Sequence, residues 1–211
     1  MTERQVFAPL VLYARGLAVG RGGLVLAQNL EFVVENGKCL LLRGPNGVGK
    51  TTLLLTLAGI VEVLDGRFVL EGASGDSGPL LHYCGHRNAL KPRLSVLENL
   101  TFWASLNGPT GMPPLDALET VGLGAIAGLD AGYLSAGQGR RLALARLLVS
   151  ARPLWLLDEP TAALDIEGHD LVGRLIDSHL DAGGLVIAAT HDSITPTELS
   201  RVETLAMAGV R

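Results

Sequence analysis

LLLRGPNGVGKTTLLLTLAG, residues 40–59, decides the fold of this chain. The apolar run from Lys38 to Arg43 suits a buried strand, and Lys50–Ala58 reads as a helix that Gly59 is well suited to stop. Between them GPNGVGKT, at 44–51, has the spacing of a phosphate-binding loop. A strand running into that loop and a helix running out of it is the context in which the pattern has mechanical meaning. The glycines let backbone N–H groups close around a phosphate, and the helix N-terminus adds roughly half a positive charge. In this reading Gly44, Pro45, Asn46, Gly47, Val48, Gly49, Lys50, Thr51 and Thr52 hold a nucleotide. Lys50 reaches the β- and γ-phosphates, and the Thr51 hydroxyl ligates Mg2+.

Three further segments narrow the reading. LLDEP, at 156–160, ends an apolar stretch from Leu154 in two acids. Alone, such a pair could simply cap the next helix; beside a phosphate loop, Asp158 suits a magnesium ion and Glu159 the activation of a water. LSAGQ, at 134–138, is a glycine-bearing turn followed by a basic helix, QGRRLALARLL. Thr190-His191 follows the apolar run Leu185–Ala189. A histidine in that place would, by itself, read as an ordinary surface residue.

Taken together these segments resemble the ATP-binding subunit of an ABC transporter, over about residues 10 to 205. The resemblance implies an α/β protein: a P-loop NTPase (RecA-like) core, a small antiparallel β subdomain and an inserted α-helical lobe. It also implies two half-sites per chain, completed only in a homodimer. Ser135, Gly137 and Gln138 would face the γ-phosphate held by the other copy. Asp165, in TAALD, would be the acid of the loop that crosses to the partner, and His191 the switch histidine beside the γ-phosphate. Ala136 replaces one glycine of the family's serine-glycine-glycine-glutamine run. Two departures weigh more. His86 stands where the family carries a glutamine that contacts Mg2+, and Arg21 where an aromatic residue stacks on adenine. A neutral imidazole can ligate a metal or accept from its water, and a guanidinium plane can stack on a base.

Along the chain, residues 10–36 contain two strand candidates joined by a turn at Gly20, Gly22 and Gly23, a small antiparallel sheet beside the core. A short strand at Arg67–Glu71 and a polar turn at 72–79 come next, then a strand at Leu80–Gly85. Ser95-Val96-Leu97-Glu98 is a capping-box sequence that predicts a helix from Val96 through Ser105. A loop over Asn107–Pro114, a helix at Leu115–Val121 and a glycine-rich approach lead to residue 134. Helix 137–149, strand 153–158, helix 167–181 and strand 185–190 then alternate, which implies parallel strands with crossover helices. The expected organisation is one ATPase domain over 1–211, with 1–86 and 135–211 as the nucleotide-binding core and about 87–134 as the helical lobe.

Composition sets outer limits. At 211 residues, 48% of them hydrophobic and with net charge −4, the chain is long enough for a substantial core. No Lys/Arg block suggests a nucleic-acid partner. The longest apolar runs are of strand length, so no transmembrane segment is expected, nor is a secretion signal at the N-terminus. Charged residues are only 18%, which suggests that part of the surface is covered by another protein. Cys39 and Cys84 are too few for a disulfide framework and are expected as reduced buried thiols. His82, Cys84 and His86 alternate along one strand, which would set all three on one face. A metal or haem site is the sharper reading of that cluster; packing beneath the lobe is the plainer one. Phe102 and Trp103 divide between lobe core and a groove for a partner.

One branch of the family is resembled in particular. GHRNALKPRLSVLENLTFWASLNG and PLWLLDEPTAALD, with the short lobe, are similar to the ATP-binding subunit of the haem exporter of cytochrome c maturation. That resemblance implies membrane-embedded transporter subunits as partners and a peripheral place on the cytoplasmic face of the bacterial inner membrane. It also implies ATP-driven haem export or release of a haem-loaded chaperone. An ATPase for another small cargo or lipid is the alternative within transport. DNA-repair or chromosome ATPases share the motifs but separate them by long coiled coils, and translation factors normally carry two cassettes. A cytosolic haem-binding module would rest on residues 82–86 alone.

Overall fold

The computed structural model describes residues 6–72, 79–191 and 198–209. Strands β1 (Val11–Arg21) and β2 (Leu24–Val34) form an antiparallel hairpin. Its two-residue turn is Gly22-Gly23, with φ of 56° and 81°. Positive φ at both central residues gives a hairpin turn whose twist matches the strands, and glycine adopts it without a Cβ clash. β3 (Cys39–Arg43) delivers the chain to the phosphate loop and to α1 (Lys50–Leu57). β4 (Asp65–Glu71) then returns to pair with β1, so the antiparallel sheet has the order β2-β1-β4.

β5 (Leu81–Cys84) leads into the lobe of α2 (Val96–Asn107) and α3 (Pro114–Thr120). The capping box is present: Ser95 Oγ accepts from Glu98 N, and Glu98 Oε2 accepts from Ser95 N. After the lobe come α4 (Ala136–Ala145), β6 (Leu154–Asp158), α5 (Ile166–Asp181), β7 (Leu185–Ala189) and β8 (Val202–Ala206). The five strands β5-β6-β7-β3-β8 form a parallel sheet.

Strands covered on both faces read as continuous apolar runs, and the period of two sorts their side chains. Leu40, Leu42, Leu154, Leu156, Leu185 and Ile187 pack with Leu53, Leu54 and Leu57 of α1 and with the antiparallel sheet. Cys39, Leu41, Cys84, Trp155, Leu157 and Val186 pack on the other face with α4, α5 and the lobe. Val96, Leu100 and Leu118 belong to that second cluster, so the lobe shares a core with the helices beneath the sheet. Both cysteines are free and buried. Among the described residues no helix is long and apolar enough to cross a membrane.

The expected elements recur within a residue or two, with three differences. α4 stops at Ala145, after which the N–H groups of Leu147 and Leu148 bond Leu144 and Ala145 carbonyls in tighter turns. β4 joins the antiparallel sheet. β8 has no counterpart in the sequence reading; it is a half-exposed edge strand that pairs with β3. Most of the polar turn expected at 72–79 lies outside the described residues.

Two histidines are built into this core as neutral groups. His82 donates through Nε2 to the Ser150 carbonyl at 2.7 Å. Burial lowers its pKa to about 4. His179 donates to Pro153 O at 3.0 Å and stacks on Trp155 at 3.9 Å, and burial lowers its pKa to about 3. A folded pKa below the unfolded one means the unfolded chain binds more protons in acid. The stability is therefore complete above about pH 6.5 and falls as pH drops towards 4 and 3. Across its window His82 should cost about 3 kcal/mol and His179 about 5 kcal/mol. Urea midpoints are expected to fall steeply from pH 7 to 4.5, and more gently in His179→Gln. Equal midpoints at pH 7 and 5 for the native chain would contradict this account.

Candidate nucleotide site

The loop between β3 and α1 is built for close approach. Gly44, Gly47 and Gly49 have φ of 152°, 80° and 104°, and a Cβ at Gly44 would collide with the Met207 carbonyl. Gly49 is the N-cap of α1 and offers no side-chain cap, and no acid stands in the first turn. The first N–H groups of α1 therefore have no side chain to bond and suit an anion. Lys50 is 8% exposed, and its ammonium donates to Gly44 O at 2.7 Å and Pro45 O at 3.0 Å. Among the described residues no carboxylate lies within ion-pair distance of it. A buried cation folded onto neutral carbonyls is matched to an incoming phosphate.

β6 brings the acids to the same place. Thr51 Oγ1 donates to the Asp158 carboxylate at 3.0 and 3.1 Å, from Oδ2 and Oδ1 respectively. A hydroxyl and a carboxylate oxygen side by side are a donor set for a small hard cation. Glu159 follows in the left-handed region at φ 47°, held by its N–H to Ala189 O at 2.8 Å. Its carboxylate accepts from the backbone N–H of His191 at 3.3 Å and lies 3.7 Å from His191 Nε2. His191 Nε2 is also 2.7 Å from Asn46 Oδ1 and 3.3 Å from Lys50 Nζ. One nitrogen cannot donate to the amide and accept from the ammonium at once, and the shorter contact makes it the donor to Asn46. These groups surround a cavity of about 400 Å³ to which His86 and Arg21 also contribute.

The structure thus brings together residues 44–52, Asp158, Glu159, His191 and His86. It does not bring Ser135, Gly137, Gln138 or Asp165 to them. Ser135 is exposed at the N-terminus of α4, where Ser135 and Gln138 cap each other at 2.9 and 3.2 Å. Asp165 is the N-cap of α5: it accepts from Gly168 N at 2.8 Å and meets Arg141 at 3.3 Å, with 71% of its side chain exposed. The Gly168 N–H, and then the Arg141 charge, lower its pKa. A Cβ at Gly137 would lie 2.9 Å from the Ala163 carbonyl, so the turn at 134–138 abuts the TAALD loop.

β5 ends at Cys84, so strand alternation carries only His82 and Cys84, which pack beneath the lobe as in the plainer reading; the exposed His86 lines the cavity and also the cleft that His82 borders. Among the described residues no group of three His, Cys, Asp or Glu stands close enough to hold a metal ion. Phe102 is exposed beneath Lys91, and Trp103 carries Arg146 over its ring at 4.6 Å and borders a second cleft of about 550 Å³.

Sequence reasoning passed over Arg140. It is 2% exposed and reaches from α4 to the carbonyls of Asp158 and Glu159, each at 2.8 Å, and Pro160 at 3.1 Å. It also bonds Gly85 O at 2.8 Å and Asn88 Oδ1 at 3.3 Å. One guanidinium thereby clamps three consecutive carbonyls of the acid-bearing turn to the end of β5. Its only mark in the sequence is a basic residue on the otherwise apolar face of RRLALA.

Comparison with known proteins agrees with this geometry. A family described as "ABC transporter" matches residues 27–162. The cytochrome c biogenesis ATP-binding export protein of Rhizobium meliloti (strain 1021) is 48% identical over 205 residues, covering 94% of this chain and 98% of that protein. A solved protein from Pyrococcus furiosus, described as an ABC-transporter ATP-binding protein, superposes with a TM-score of 0.78 at 27% identity, covering 92% and 97% of the two chains. The ATP-binding cassette MJ0796, solved as a dimer in a post-hydrolysis state with ADP and Pi, superposes with a TM-score of 0.71 at 23% identity, covering 86% and 88%. The chain is therefore an ATP-binding member of the ABC transporter family, in the branch whose members are named cytochrome c biogenesis ATP-binding export proteins.

Proposed function

We propose that this chain is the ATP-hydrolysing subunit of a haem-export complex serving c-type cytochrome biogenesis. It works on the cytoplasmic face of the bacterial inner membrane as a homodimer bound to membrane-embedded subunits. The observation that carries the catalytic part is the convergence of Lys50, the Thr51–Asp158 pair, Glu159 and His191 on one cavity. The export part is supported by the relative that carries this name across nearly its whole length.

The residues fit ATP and Mg2+. An uncapped helix start and a lysine with no carboxylate at ion-pair distance among the described residues suit phosphates, and the Thr51 hydroxyl with the Asp158 carboxylate suits a hard cation. Mg2+, when bound, neutralises charge that develops on the phosphates. Residues 44–52 cradle the phosphates through backbone N–H groups, and Lys50 offsets the charge of the terminal one. Glu159, fixed in its left-handed turn, accepts the proton of the attacking water. His191 holds the far side of the same water and the terminal phosphate, and His86 takes the place of the family's glutamine. Ser135, Gly137 and Gln138 of one copy close the site of the other, with Asp165 at the crossing loop. The N-terminus of α4 is exposed and does not line the cavity at its own chain's phosphate loop, which supports this division of labour.

The test is made in cells carrying Glu159→Gln. Haem-stained gels of their membranes should lack the covalent c-type bands, while b-type cytochromes, which hold haem without thioether bonds, persist. Normal c-type bands would overturn the haem reading and leave an ATPase for another cargo.

A further inference from the structure

A purine base has two flat faces that favour flat partners, and the cavity at the phosphate loop offers few. Among the described residues that line it there is no phenylalanine, tyrosine or tryptophan. The rings of Tyr83 and Trp103 line the second cleft instead. On the side of the β1–β2 hairpin the wall is the exposed Arg21 and the half-buried Leu26. A Cβ at Gly49 would come within 3.1 Å of that of Leu26, so this wall stands close beside the start of α1. A base leaning on it covers one face and leaves the other open.

Tyr133 is 76% exposed, the most exposed aromatic side chain among the described residues. The backbone beneath it is firmly held. The N–H groups of Ala131 and Gly132 bond the carbonyls of Leu94 and Pro92 at 2.9 and 3.0 Å. Those of Tyr133 and Leu134 bond Asp130 and Ala131 carbonyls at 3.0 and 3.3 Å. A Cβ at Gly132 would lie 3.1 Å from the Pro92 carbonyl, so glycine lets this turn seat closely on the lobe. A ring raised into solvent from a fixed backbone loses little freedom when something stacks on it. Leu134 is extended at φ −68° and ψ 139°, which sets Tyr133 about 7 Å along the chain from Ser135. A residue that far from the one facing a terminal phosphate is within reach of the ribose and base.

We propose that Tyr133 of each copy stacks on the base of the nucleotide held by the other. The inference rests on the reading of shared half-sites, in which Ser135 closes the partner's site. The hairpin wall takes one face of the base and the tyrosine ring the other, so the nucleotide becomes part of the contact between copies. Every base has a π-face, so the ring adds affinity and leaves the choice of base open.

Two measurements on the full-length chain with Mg2+ test this. Sedimentation with the non-hydrolysable analogue AMP-PNP gives the dimerisation constant. Tyr133→Ala should weaken dimerisation by on the order of ten- to a hundred-fold per stacked base. Its affinity for AMP-PNP in dilute solution, where the chain is monomeric, should be unchanged, and Tyr133→Phe, which keeps the ring, should match the native chain throughout. Irradiation with 8-azido-ATP, which reacts from the base, should label residues 131–134 only at concentrations where the dimer forms. Native dimerisation by Tyr133→Ala overturns the inference. So does a dimer in which the base labels other segments and not 131–134, for then the tyrosine merely packs against protein. If the native chain does not dimerise with nucleotide, it is the shared half-sites that fall, and the role of Tyr133 with them.

Discussion

Glu159→Gln should lower ATP turnover by about a hundred- to ten-thousand-fold, the usual contribution of a positioned general base. The amide keeps the shape of the carboxylate and can still accept from the His191 N–H, but it cannot take a proton from water. Nucleotide binding, which falls to Lys50 and the loop at 44–52, should be retained. On the proposed sharing of half-sites, with Ser135 and Gly137 of each copy closing the site of the other, bound ATP should stay intact between two copies. Size-exclusion chromatography with ATP and Mg2+ should show a dimer that does not decay, while the native chain returns to monomer as it hydrolyses. A variant that turns over at the native rate, or that never dimerises, would show that Glu159 is not the base or that the half-sites do not meet.

Arg140→Ala should destabilise the fold by at least about 3 kcal/mol, since it leaves several buried carbonyls without a donor. The turn it holds includes Glu159 at φ 47°, a conformation that a non-glycine residue keeps only when its surroundings impose it. Loss of the clamp should therefore also lower turnover by more than the stability loss explains. Arg140→Lys keeps the charge, but a single ammonium cannot span the carbonyls of Asp158, Glu159 and Pro160 together with Gly85. It should fall between the two. Urea unfolding and steady-state ATP turnover measure both effects. A change below about 1 kcal/mol with native turnover would mean that other bonds hold the turn.

The legible parts of the fold are those whose signal is local. The run Lys38–Arg43, the glycine spacing of 44–49, the capping box at Ser95 and the turn at 134–138 before its basic helix each involve residues a few positions apart. β8 was not legible, because a half-exposed strand at an edge needs little apolar sequence and is specified by its partner β3. The supposed face of His82, Cys84 and His86 failed for a related reason. Alternation predicts a face only while the strand continues, and β5 ends at Cys84.

By itself the sequence determined that this chain is a phosphate-loop α/β protein of the ABC type, and it singled out the residues we propose touch nucleotide. Those residues are set by the chemistry they perform, and that chemistry demands particular types at particular spacings. The tertiary structure decided what holds them in place. Thr51 against Asp158, and Arg140 across the acid-bearing turn, join segments far apart in the chain. Backbone carbonyls, which every residue carries, are what Arg140 mainly binds, so no pattern of side chains announces the contact. Only the folding of α4 against the ends of β5 and β6 brings that guanidinium to its acceptors.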